Sequence, residues 1–300
     1  MLTRCSGSVP ARFALLLLTS TLPACSSDDA GPVLGSGSDA AGTTTITAKF
    51  SFFVASYAAL QRLSGSPDGF GGDLRFGEAG PGAGLRGADK ICANIAESSM
   101  AGAGAKGWRA FLSAADGGTG EPINAIDRIG TGPWYDRLGR LFGNSVADIN
   151  ADRPGAADPA IANDFPNEDG VPNHQPDPTQ PAVDNHDMLT GSDLTGKLYG
   201  SSATCLDWTR AEGDLTKEGK PRVGHSWPRL QGDKVGEMDE RNAGAPNPDK
   251  GSGDNWMSAL VESGCKAGAN LSDAGGPDAS AVTVGSGGGY GGFYCFALRP

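Results

Sequence analysis

The start of this chain constrains it most. Arg4 and Arg12 precede an apolar run over residues 13–22, which stops at Leu22-Pro23-Ala24-Cys25 and gives way to Ser26-Ser27-Asp28-Asp29. The run is too short to cross a bilayer, which takes about 20 apolar residues, and its charged-then-apolar order is that of an export leader. The abrupt change to Ser, Asp and Gly argues against a buried helix. Export sets the redox compartment, and with it the meaning of the cysteines.

A cysteine directly after an apolar run and a small residue resembles the lipobox of bacterial lipoproteins, in which Cys25 becomes the acylated first residue. Pro23 is an unusual occupant of that box. The expected organisation is a leader over 1–24, a Gly/Ser-rich tether over 25–45, and a domain over 46–300. The expected location is the outer membrane or cell surface, with periplasmic or secreted alternatives, and Cys25 would join the chain to a lipid bilayer. Loss of 1–24 removes Cys5 and acylation occupies Cys25. Cys92, Cys205, Cys265 and Cys295 remain, and in an exported chain these read as two disulfides with three possible pairings.

The 47 glycines and 20 prolines, with 38% hydrophobic residues, suit a loop-rich domain rather than a helical bundle. Five tryptophans and eleven phenylalanines are enough to build its core. The net charge of −11 removes any electrostatic reason to seek nucleic acid or anionic lipid.

Residues 47–56 are β-prone, with Ala48, Phe50, Phe52 and Val54 on one alternate face, and 64–84 are turn-rich. Leu85, Ala88, Ile91, Cys92, Ile95 and Ala96 repeat at three and four residues, a helix that carries its cysteine inward. Residues 108–113 read as a buried strand, 124–129 as a short helix, and 134–142 as a hairpin turning near Leu138-Gly139. Between 143 and 195 ten acidic residues meet the single base Arg153, among seven prolines. That segment is expected to be a long surface excursion without regular elements. Order returns around Cys205 and Trp208, at 223–227, before Cys265, and in a terminal strand through Cys295.

Four segments in this order resemble endostatin, the collagen-derived domain of C-type-lectin-like fold. They are the helix Gly87-Ala88-Asp89 leading to Cys92, the strand Arg109-Ala110-Phe111-Leu112-Ser113, the turn Gly191-Ser192-Asp193 with Gly196 leading to Cys205 and Trp208, and the final Tyr294-Cys295-Phe296. Uncharacterised bacterial exported proteins, some labelled lectins, are similar too. The resemblance implies an α+β, C-type-lectin-like fold, loop-rich, with short antiparallel sheets, one or two helices and two nested disulfides. It implies the pairs Cys92–Cys295 and Cys205–Cys265.

Many such lectins bind sugar through calcium, the candidate cofactor here. Gln175-Pro176-Asp177 matches one half of their motif, but Trp256-Met257-Ser258 lacks the Asn and Asp of the other half. Asp148, Asn150 and Asp152 begin like an EF-hand loop, yet Arg153 and Pro159 break it. A looser calcium set would draw on Asp148, Asn150, Asp152, Asp164, Asp169 and Asp187. His186, Asp187 and His225 are the best metal or acid–base candidates, although no zinc spacing links the three histidines, His174, His186 and His225. The simpler reading makes His186 and His225 structural hydrogen-bond partners. Trp227 and Trp256, beside Gly/Pro-rich loops, are candidate ligand contacts, whereas Trp208 reads as core. The expectation is a non-catalytic envelope recognition module for a glycan or protein, binding through loops 143–195 and 228–253. The alternatives are an enzyme on this fold, resembling the cysteine-dependent formylglycine-generating enzymes, or a structural surface lipoprotein.

Overall fold

The structure, a computed structural model, describes residues 49–174, 183–228, 255–271 and 281–299. The expected leader, Cys25, the tether, Gln175, Asp177 and nearly all of loop 228–253 lie outside them. Among the described residues the strands are β1 (Phe52–Val54), β2 (Trp108–Ala110), β3 (Trp134–Tyr135), β4 (Leu141–Gly143), β5 (Asp187–Leu189), β6 (Arg222–His225), β7 (Leu260–Val261) and β8 (Gly289–Ala297). Two helices exceed one turn, α1 (Tyr57–Ser64) and α2 (Ala83–Ser99). Among the described residues no helix is long and apolar enough to cross a membrane. The fold is thus mixed α and β, with few helices and short strands.

The main sheet runs β1-β8-β5-β6-β7, with β2 also on β8, while β3 and β4 form a separate hairpin. β8 is buried at every residue. Its C-terminal half pairs antiparallel with β1 (Phe53↔Cys295) and with β2 (Ala110↔Cys295). Its N-terminal half pairs parallel with β5 (Asp187↔Gly289, Leu189↔Phe293), so the sheet is not purely antiparallel as expected.

Sequence alternation placed only one face of the first strand inward. Phe50, Phe52, Phe53 and Val54 are all buried, because β1 lies between two packed layers. Phe53 meets Trp108 at 4.9 Å, while Phe52 stacks on Phe142 at 3.6 Å and meets Phe296 at 5.0 Å. Such ring pairs each contribute about 0.5–1.5 kcal/mol beyond area burial.

α2 follows its apolar stripe: Leu85, Ala88, Ile91, Cys92, Ile95 and Ala96 are buried. Cys92 bonds Cys295 of β8, and Cys205 bonds Cys265 inside that span, so the two bridges are nested. In the chain-entropy model loops this long contribute about 4–5 kcal/mol each, an upper figure for real bridges. α1 has no counterpart in the sequence reading. Ser56 caps it by accepting from the Ala59 N–H, Gly65 ends it in the left-handed region, and the Glu168 carboxylate accepts from the Ser56 N–H and hydroxyl.

Two further expectations are corrected. Segment 143–195 is no simple surface excursion: it contains a helical turn, Val146–Ile149, and strand β5, and it buries Ile149, Ile161, Phe165, Met188 and Leu189. Its polar side chains take the place of a hydrogen-bond ladder. Asp148 accepts from the N–H groups of Asn144 and Ala156, and Asn167 from those of Asp169 and Val171. Cys205–Trp208, where the sequence shows only returning order, is not a strand but a left-handed turn with φ of +51°, +53°, +55° and +64°. Four such residues cost roughly 1–2 kcal/mol each. The Cys205–Cys265 bridge and the Trp208 indole N–H, donated to the Ser113 carbonyl at 2.8 Å, hold the turn in place.

Asp89 ties α2 to β2. Its carboxylate accepts from the Ala110 N–H at 2.9 Å, and its two oxygens accept from Arg128 Nη2 at 2.7 and 2.8 Å. Burial pushes its pKa up, against the pull of Arg128. Asp89→Ala leaves that guanidinium without its carboxylate and is expected to cost about 3–5 kcal/mol in urea denaturation. Asp127→Ala, at an exposed position, is expected to cost under about 0.5 kcal/mol. Equal effects would contradict the role assigned to Asp89.

Candidate functional site

Three strand ends meet as lateral neighbours. The chain enters β5 at Asp187, leaves β6 at His225 and enters β8 at Gly289, with registers Asp187↔His225 and Asp187↔Gly289. Cross-strand partners share a face, so Asp187 and His225 meet there. His225 Nε2 stands 3.0 Å from Asp187 Oδ1. His186, just before β5, stands with Nε2 at 3.4 Å from the same oxygen and Nδ1 at 2.6 Å from Asp184 Oδ1. The two imidazole rings lie 4.1 Å apart at 80°. His186 and Asp187 are fully buried and His225 is 2% exposed.

Trp227 roofs the group, 4.8 Å from the His186 ring and stacked on His174 at 3.8 Å. Its indole N–H donates to Asn185 Oδ1 at 2.8 Å. All three histidines of the chain therefore lie in one set of touching rings. Below, Arg153 donates to the carbonyl of His225 at 2.9 Å, with its guanidinium over the Phe165 ring. On the β7 side, Glu262 is buried beside Asp187. Burial first, and the Asp187 charge second, push its carboxyl well above the usual range, and it hydrogen-bonds Asp187. The other Glu262 oxygen accepts from the Ser286 hydroxyl at 2.6 Å and the Gly287 N–H at 2.8 Å. Tyr294 lies close enough to feel Arg153 and Asp187, and burial raises its phenol well above its ordinary value.

The glycines of 285–289 make this packing feasible. A Cβ at Gly287 would stand 2.7 Å from Asp187 Oδ2, and one at Gly288, where φ is +129°, would collide with the Asp184 carboxylate.

Of the residues singled out from sequence, His186, Asp187 and His225 come together as the one group of three metal-capable side chains among the described residues, their donor atoms all within 4.8 Å. Trp227 joins them as their cover. Trp256 does not: it is fully buried, donates to the Ile149 carbonyl at 2.9 Å, and packs on Phe111 and Tyr294, so it cannot meet a ligand at the surface. The acidic calcium set does not converge either. Asp148 serves two backbone N–H groups, Asp164 that of His174, and Asp152 the Asn255 amide, while Asn150 and Asp169 are exposed. Asp184, Glu262 and Arg153 were missed. The one signal in the sequence was the glycine run before Tyr290, which marks a close approach of backbone to something.

The arrangement can hold a cation between two imidazoles and a carboxylate, or pass a proton along Asp184, His186, Asp187 and His225. No protein-family model matches this chain, and no curated protein matches it.

Gly288→Ala is expected to displace Asp184 and lower stability by about 1–3 kcal/mol in a thermal or urea melt. Gly200→Ala, where the backbone is extended and nothing stands within 4 Å, should change little. A neutral Gly288→Ala would mean that the loop does not press on the carboxylates.

Proposed function

We propose that this chain is an exported recognition module of C-type-lectin-like, endostatin-like architecture, carried on the cell envelope by acylated Cys25, which binds a glycan or protein without chemistry. The observation that carries the reading is the convergence of strand ends. The connections into β5, out of β6 and into β8 all begin or end at Asp187, His225 and Gly289, at one end of the central strands of a sheet braced by disulfides. Side chains gathered where strands begin and end on a rigid frame are a usual vehicle of recognition. The two bridges fit an oxidising compartment. They also engage Cys92, Cys205, Cys265 and Cys295, the thiols that a cysteine-dependent enzyme reading would require.

Calcium is not needed for this reading, since Asp148 and Asp164 are spent on backbone N–H groups and Asp152 on the Asn255 amide. The acidic net charge favours neutral or basic partners over nucleic acid.

The full chain, incubated with a panel of bacterial envelope polysaccharides and peptidoglycan fragments, tests the proposal when binding and product formation are read together. Saturable binding with the polymer unchanged is the expected result. Cleavage or modification of any bound polymer would contradict the non-catalytic reading, and no binding across the panel would remove its glycan half.

A further inference from the structure

We propose that His186, Asp187 and His225 bind a divalent transition metal of the zinc class, with Asp184 and Glu262 as outer partners that orient the ligands. The proposal stands whether or not the recognition reading does.

The geometry is the first argument. Zinc bonded at about 2.0–2.1 Å to nitrogen and oxygen in a tetrahedron holds its donors roughly 3.3–3.4 Å apart. His186 Nε2 and Asp187 Oδ1 stand 3.4 Å apart, long for a hydrogen bond and equal to that edge. His225 Nε2 at 3.0 Å from the same oxygen is within a few tenths of it. All three donor atoms lie within 4.8 Å of one another, so an inward shift of the rings brings them onto a common ion.

The outer contacts are those a metal site needs. Asp184 at 2.6 Å from His186 Nδ1 holds the proton there and leaves the Nε2 lone pair for the ion. Glu262 hydrogen-bonds Asp187, and is itself fixed by Ser286 and Gly287. Ligating carboxylates are commonly oriented in this way.

The donor set decides which metal. Calcium takes six to eight oxygens, whereas two imidazoles and one carboxylate suit zinc and its neighbours. The ion would cross-link β5 to β6 and, through Asp184 against Gly288, to the entry of β8, a third staple beside the two disulfides. Three protein donors leave one position for a water molecule.

The test uses the full chain, stripped with a chelator and dialysed against Zn²⁺ or Ca²⁺ alone. One zinc per chain, a higher melting temperature with zinc and not with calcium, and an X-ray absorption spectrum with two imidazoles in the first shell are expected. Asp184→Asn should weaken zinc binding about 10–100-fold with both disulfides intact, and His225→Gln should abolish it. Substoichiometric zinc, a first shell without imidazole, or unchanged binding in His225→Gln would each overturn the proposal. If His225→Gln does not fold, the wild-type stoichiometry and absorption spectrum decide alone.

Discussion

Everything in this structure hangs on β8. It is buried along its whole length, and it is the strand on which β1, β2 and β5 meet. The Cys92–Cys295 bridge pins it to α2, so the last segment of the chain is locked to an early helix. Most contacts of the sheet therefore join residues far apart in sequence, and such pairings carry a closure cost that a covalent link reduces. The aromatic core follows from this strand. Tyr294 and Phe296 meet Phe52, Phe111 and Trp256, which come from three other parts of the chain.

The same strand sets the polar cluster. Its parallel register with β5 brings Gly289 beside Asp187, and the antiparallel register of β5 with β6 brings His225 beside Asp187. Five ionisable side chains, Asp184, His186, Asp187, His225 and Glu262, are then buried together. A network of this kind is costly if partly satisfied and specifies a unique arrangement if fully satisfied. Glu262 answers part of that demand by favouring its neutral form against Asp187. Glycines at 287 and 288 answer another part by leaving room for the carboxylates.

Much of the frame was legible in the sequence. The apolar stripe of α2 announced both the helix and the inward direction of Cys92, and the hairpin around Leu138-Gly139 was visible from its turn. The disulfide pairing came from a resemblance, and the structure has the same two bridges. What stayed hidden had no periodicity to read. β5 is a short strand inside an acidic, proline-laden segment, and only Met188 and Leu189 hint at it. The left-handed turn at Cys205–Trp208 uses residues that normally avoid that conformation, so tertiary ties override local preference. Trp256 looked exposable because of its glycine-rich surroundings, whereas the aromatic core claims it. His186, Asp187 and His225 stood out as residue types, but their convergence depended on strand registers that no spacing encodes.

The dependence on β8 is the central claim, and hydrogen exchange reads it residue by residue. In the wild type, the amides of Gly289–Ala297 are expected to be among the slowest, with those of β5 and β6 close behind. Comparison with the double variant Cys92→Ser, Cys295→Ser then decides. If β8 organises the whole, protection falls together in β1, β2, β5 and β6, around the core and the His–Asp cluster alike. If β5 and β6 keep their protection while β8 and β1 lose theirs, the cluster stands on its own, and β8 is not the strand that organises the fold.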